Sequence, residues 1–117
     1  MSAIRFGLFL FFAVRAIAAP IPIAETSRTE RVDFAREIYP LLKRNCLACH
    51  NATKAKADLN LESPATMRKG GESGPAITPG KGAESLLIKS AAHVDEDLVM
   101  PPPGNKVKAS DLSLIHI

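Results

Sequence analysis

Cys46-Leu47-Ala48-Cys49-His50 holds both cysteines of this 117-residue chain and one of its three histidines. The order C-x-x-C-H reads as a c-type haem attachment site. Two thiols on one turn can each form a thioether with a haem vinyl group, and the imidazole that follows lies under the iron. With Cys and His each at about 1–2% of an average chain, the pattern arises by chance in roughly one in a thousand sequences of this length. Rival uses of the same residues fit less well. A structural zinc site takes four N/S ligands, usually as two pairs at finger-like spacing, and the chain has no second Cys or His pair. A thioredoxin-like redox pair sits near a βαβ pattern, and the chain shows no strand–helix–strand alternation. A disulfide between Cys46 and Cys49 would close a very small loop and add little stability.

Working outward toward the N-terminus, Met1 to about Ala18 carries Arg5, an apolar run from Phe6 to Val14 and the small-x-small pattern Ala16-Ile17-Ala18. This is the pattern of a secretory signal peptide, with a run too short to cross a bilayer as a mature helix. Arg15, between the run and the cleavage pattern, leaves an uncleaved anchor extended through Ile23 as the alternative, and only then is a membrane a partner. Export to the periplasm or another extracytoplasmic space suits the motif, since covalent haem attachment takes place outside the cytoplasm in families that carry it. Loss of residues 1–18 removes Arg5 and Arg15, so 15 basic residues become 13 against 12 acidic and the formal charge falls from +3 to +1. The basic balance is therefore a property of the leader, and no nucleic-acid partner is implied, because a binding face needs clustered Lys/Arg in excess.

Four of the five Phe also lie in the leader, which leaves Phe34 and Tyr39 as the aromatics of the mature part, with no Trp. A domain of about 100 residues is of a size where an ordinary core gives only marginal stability. A buried porphyrin would supply the missing apolar bulk.

Residues 19–31 read as an extended linker with Pro20 and Pro22. Asp33 is a helix N-cap, and Phe34, Ile38, Leu41, Leu42, Cys46 and Cys49 follow the spacing of one helical face. Pro40 interrupts that helix and predicts two pieces or a bend. Leu59-Asn60-Leu61 alternates like a short extended piece. Ser63-Pro64 and Gly70 bracket a short helix at 64–69. The loop 70–81 contains four glycines and two prolines, and glycine lets backbone approach a flat ligand because it has no Cβ; an ordinary surface turn is the plainer reading. A helix at about 83–92 carries Leu86, Leu87 and Ile88 as a core element without evident chemistry, and Ser110-Asp111 opens a last helix of two turns.

An iron held by His50 needs a second axial ligand or an open site. Met100, Met67, His93 and His116 are the candidates. Methionine paired with histidine raises the potential and closes the site for electron transfer. Met100 precedes three prolines, which hold it extended on a stiff loop, so it is the preferred ligand. Met67 is expected to pack, His93 to be solvated beside Asp95 and Glu96, and His116 to be unliganded. Asp95-Glu96-Asp97 reads as a solvated acidic run.

Phe34-x-x-x-Ile38-x-Pro40-Leu41-Leu42, Cys46-x-x-Cys49-His50, Leu59-x-Leu61, Gly70-Gly71-x-x-Gly74-Pro75-Ala76, Pro79-Gly80-Lys81, Ser85-Leu86-Leu87 and Met100-Pro101-Pro102 together resemble the planctomycete-type cytochrome c domain, from about Val32 to the end. The resemblance implies an all-α, class I-like cytochrome c fold of three to four short helices and long Gly/Pro-rich loops around one covalently attached haem c. It also implies a domain often found at the N-terminus of much larger exported proteins. The family's last helix usually continues into a longer apolar segment, whereas this chain halts at Ile117, which leaves open a fragment whose enzymatic domains lie elsewhere. The expected organisation is a signal peptide at 1–18, a linker at 19–31 and a cytochrome c domain at 32–117. A metal-bound histidine usually gives its other N–H to a carbonyl or carboxylate. The glycine-rich approach, and similar Gly-Pro segments in other cytochromes c, make the carbonyls of Gly74 and Pro75 the expected partners of His50.

The resulting expectation is an exported electron carrier that exchanges single electrons with a redox partner protein and has low or no catalytic turnover of its own. Cys46, Cys49, His50, Met100, Gly74 and Pro75 form its haem site, with iron held by His50 and Met100. The alternatives are a peroxidase-like or sensory site with an open distal face, and a redox module of a larger multidomain enzyme.

Overall fold

A computed structural model of the chain describes residues 19–23 and 28–115. The expected signal peptide at 1–18 and the side chain of His116 lie outside them. The described chain is all-α, as expected: four short helices, α1 (Tyr39–Asn45), α2 (Pro64–Lys69), α3 (Leu86–Ala91) and α4 (Ala109–Ile115), joined by loops and single 3-10 turns. Its only strand-like feature is one isolated bridge between Gly71 and Gly74. None of the described helices is long and apolar enough to cross a membrane.

Pro40 shapes the entry to α1. A π turn, Phe34–Ile38, precedes it, with the Tyr39 N–H donating to the Phe34 carbonyl. Because Pro40 has no N–H to give, the wider turn absorbs the missing bond and α1 starts with proline near its N-terminus. This is the break the sequence predicts. The start is capped from both sides: Asp33 Oδ1 accepts from the Arg36 N–H at 3.1 Å, and Glu37 Oε2 accepts from the Asp33 N–H at 2.7 Å. Arg28 Nη1 then donates to Glu37 Oε1 at 2.6 Å, tying the preceding segment to the helix.

The bounds of α2 are local in origin. Ser63 Oγ accepts from the Thr66 N–H while Thr66 Oγ1 accepts from the Ser63 N–H, a reciprocal capping box with proline at the first helical position. At the other end Gly70 takes φ 75°, where an added Cβ would strike the Gly74 carbonyl. The helix expected at 83–92 is split instead. Ser85 is extended (φ −61°, ψ 134°) between a 3-10 turn at Gly82–Glu84 and α3. Its hydroxyl accepts from the Thr78 N–H at 2.9 Å and donates to the Lys81 carbonyl at 3.1 Å, so the side chain bonds the loop backbone rather than capping the helix.

Two apolar clusters form the core. Ile38, Leu42, Leu47, Leu61, Met67 and Ala76 make the first, which therefore buries Met67 as packing. Ile88, Ala91, Ala92, Val107 and Leu112 make the second, with Ile21 and Ile23 laid against it. Ile115 packs on both. The Ile21 N–H donates to the Ala92 carbonyl at 2.8 Å, so residues 19–23 rest on the end of α3. Leu42, Leu61, Ile88 and Leu112 are fully buried, each contributing about 1.5–3 kcal/mol relative to exposure. Arg44 and Asp111 pair at 3.4 Å and link α1 to α4.

Candidate cofactor site

The end of α1 delivers the motif. The N–H groups of Cys46 and Leu47 both donate to the Leu42 carbonyl, at 2.7 and 2.9 Å, and the N–H groups of Cys49 and His50 both donate to the Cys46 carbonyl, at 3.2 and 3.1 Å. One tight turn therefore carries two thiols and an imidazole to the same cavity, of about 210 Å³. Both cysteines are free. Cys46 lies against the first core cluster and burial pushes its thiol up to about 11, while Cys49 is exposed. Asn51 fixes the chain beyond the motif: its Nδ2 donates to the Leu47 carbonyl at 2.7 Å, and its Oδ1 accepts from the Thr53 and Lys54 N–H groups.

His50 is 9% exposed. Its Nδ1 lies 3.0 Å from the Lys56 carbonyl, which can only accept, so Nδ1 is the donor and, in the neutral ring, Nε2 keeps its lone pair. That tautomer is the one a metal needs, with the second nitrogen held by a backbone oxygen. Here the structure corrects the sequence reading, which expected the carbonyls of Gly74 and Pro75. The Gly74 carbonyl instead accepts from the Gly71 N–H at 3.2 Å. Gly74 lines the cavity, but Pro75 is exposed and does not.

The walls are mostly apolar. Behind the motif stand Ala57, Leu59 and Leu61; the glycine-rich loop contributes Gly71 to Gly74 and Ala76; Leu86, Leu87, Ser90 and Ala91 of α3 and then Leu98, Met100, Pro101 and Pro102 close the ring. Sequence reasoning left α3 without a role. Its signal was the small pair Ser90-Ala91 one turn after Leu86-Leu87, a face with room for a ligand, while Ile88 and Ala92 point to the second cluster. Met100 lines the cavity with 46% of its surface exposed.

His93 is not solvated as its acidic neighbours suggest. It is 7% exposed, has φ 56°, and its Nε2 is buried without a hydrogen-bond partner among the described residues. The following residues Val94 to Asp97 take the solvent-facing positions instead. No group of three or more His, Cys, Asp or Glu side chains in the described residues is placed to hold a bare metal ion. Two free thiols, an imidazole with its Nδ1 tethered and a thioether around one apolar slot suit a flat, covalently attached macrocycle that brings its own metal.

The model of the family described as Planctomycete cytochrome C matches residues 46–104, half of the chain, from the first cysteine of the motif to the glycine that follows the Met100 loop. No curated protein and no solved structure matches.

Proposed function

Because the chain belongs to the Planctomycete cytochrome C family, we propose that it is an exported electron carrier. In this reading it binds haem c through Cys46 and Cys49, with iron held by His50 and Met100. Bound haem c supplies a one-electron Fe(III)/Fe(II) couple. The chain's own residues attach, orient and shield it. The thiols of Cys46 and Cys49 would hold haem c through two thioether links, which need no oxidant because each S–H adds across a double bond. His50 presents Nε2 while the Lys56 carbonyl retains the Nδ1 proton. Leu59, Leu61, Leu86 and Leu87 line the slot and, with the ring seated, would shield it from water, which strengthens electrostatic contacts inside it. Met100 would bring a thioether from the Pro-rich loop, and a histidine–methionine ligand pair would favour a closed, electron-transferring site.

The observation that carries this reading is the Nδ1-tethered imidazole one residue after an exposed thiol, at an apolar cavity. The test is maturation in a host with haem-attachment machinery, followed by mass analysis and absorption spectra in both oxidation states. Added mass of one haem and a low-spin, six-coordinate spectrum support it. Bare polypeptide refutes it.

A second reading, a sensory or peroxidase-like site with an open distal face, is favoured by the exposure of Met100. High-spin iron that binds carbon monoxide readily would select it over the first.

A further inference from the structure

Residues 55–58 take an unusual path. Ala55 (φ 31°), Ala57 (φ 57°) and Asp58 (φ 56°) all lie in the left-handed region. Two of the three are alanines, which lack the polar side chain that eases this conformation in Asn or Asp. Such residues persist where their surroundings over-determine them, and an observed outlier of this kind is a pointer to function.

The surroundings here are backbone bonds from both sides. The Ala55 N–H donates to the Asn51 carbonyl at 2.8 Å, and the Lys56 N–H to the Cys49 carbonyl at 3.0 Å. From the glycine-rich loop, the Glu72 N–H donates to the Ala57 carbonyl at 3.0 Å. Gly71 makes that approach feasible, since a Cβ there would strike the Ala57 carbonyl oxygen and lie 3.0 Å from both the nitrogen and the Cβ of Leu59. Between these fixed points sits the Lys56 carbonyl, the acceptor for His50 Nδ1.

We propose that the left-handed turn 55–58, clamped by Gly71 and Glu72, is the device that holds the Nδ1 proton of His50 and so sets how strongly its Nε2 donates to iron. Gly71 and Glu72 are then positioning residues, acting on the axial ligand through the Ala57 and Lys56 backbone. The effect on iron rests on the haem reading above; the hold on the imidazole proton does not.

The test compares wild-type holoprotein with Gly71→Ala and Glu72→Pro, which attack the clamp from different atoms. Gly80→Ala serves as control, a left-handed glycine (φ 74°) with nothing within 4 Å of an added Cβ. Weakening the hydrogen bond from Nδ1–H to the Lys56 carbonyl makes the imidazole a poorer donor and ferric iron less favoured. Both clamp variants should therefore raise the potential, shifting the oxidised-to-reduced ratio at a fixed poise by roughly tenfold, equivalent to about 59 mV for one electron. Exchange of the His50 Nδ1 proton, followed by nitrogen-15 NMR, should accelerate at least several-fold. Gly80→Ala should lower thermal stability and leave potential and exchange at wild-type values. Wild-type potential and exchange in the clamp variants would overturn the proposal. If neither variant matures, the wild-type protein still decides: an Nε2–H tautomer or a rapidly exchanging Nδ1 proton at His50 overturns it. A product without haem mass sinks the haem reading alone, because the imidazole nitrogens can be read in the unloaded protein.

Discussion

The backbone N–H of Met100 donates to the carbonyl of Ser90 at 3.1 Å, across ten residues. The same carbonyl accepts from the His93 N–H at 3.2 Å, so the loop 93–100 closes on a single oxygen at the end of α3. The Met100 loop is thereby fixed to a cavity wall, although the side chain itself stays half exposed.

Replacing the thioether reads out that arrangement. Met100→Ala in the matured protein should convert low-spin to high-spin iron and admit carbon monoxide. It should also lower the potential by on the order of 0.1 V, within the span of about 0.8 V that axial ligands command. Titration against redox dyes measures the fall. A wild-type spectrum in the variant would remove Met100 from the iron.

The two thiols should differ before any cofactor is attached. With burial pushing Cys46 up to about 11, only about one molecule in a thousand carries its thiolate at pH 8. Alkylation of the unloaded protein at pH 8 should therefore label the exposed Cys49 first and Cys46 after unfolding. Peptide mass mapping over time checks the order.

The same shift couples to stability. The folded state keeps the Cys46 proton to higher pH than the unfolded chain does, so the stabilisation is complete below about pH 8.5 and is lost as pH rises toward 11. The loss amounts to about 2–3 kcal/mol. Urea midpoints of the unloaded protein should fall across that window, and Cys46→Ala should flatten the fall.

At acid pH the junction of Arg28 and Glu37 should respond. The hydrogen bond from Arg28, followed by that from the Asp33 N–H, holds the Glu37 carboxyl below its ordinary range, with the two side chains 28% and 29% exposed. A carboxylate with a depressed folded value stabilises above its unfolded value, about 4.3, and loses that contribution as pH falls through the folded one. Denaturation curves of Glu37→Gln and wild type should diverge above pH 5 and converge in acid.

In the first core cluster, Leu42 is 0% exposed, and its backbone carbonyl also anchors the motif turn. Leu42→Ala should cost about 2–5 kcal/mol through lost burial and the cavity left behind. Denaturant melts give the value. A cost under 1 kcal/mol would mean that the cluster collapses into the space.

How much was legible beforehand depended on where each feature keeps its information. The ends of α2 were readable because Ser63, Pro64 and Gly70 act within a few residues of themselves. The break at Pro40 was readable because a missing N–H is a covalent fact. The motif turn announced itself through side chains. The partner of His50 did not, since it is a backbone oxygen at Lys56, reached through left-handed alanines that carry no local signal for such a path. The inner face of α3 was hidden for a related reason: Ser90 and Ala91 are ordinary helix residues until a cavity forms in front of them. His93 was misread because Asp95 and Glu96 suggest water, whereas the backbone turn at φ 56° separates its side from theirs.

The cavity draws its far wall from Leu86 to Pro102, some forty to fifty residues beyond the thiols that line the near one. A chain emerging with its N-terminus leading exposes Cys46 and Cys49 while the opposite panel is still inside the machinery that makes or moves it. If haem c is attached as proposed, the sulfurs would therefore be within its reach before α3 and the Met100 loop complete the opposite wall.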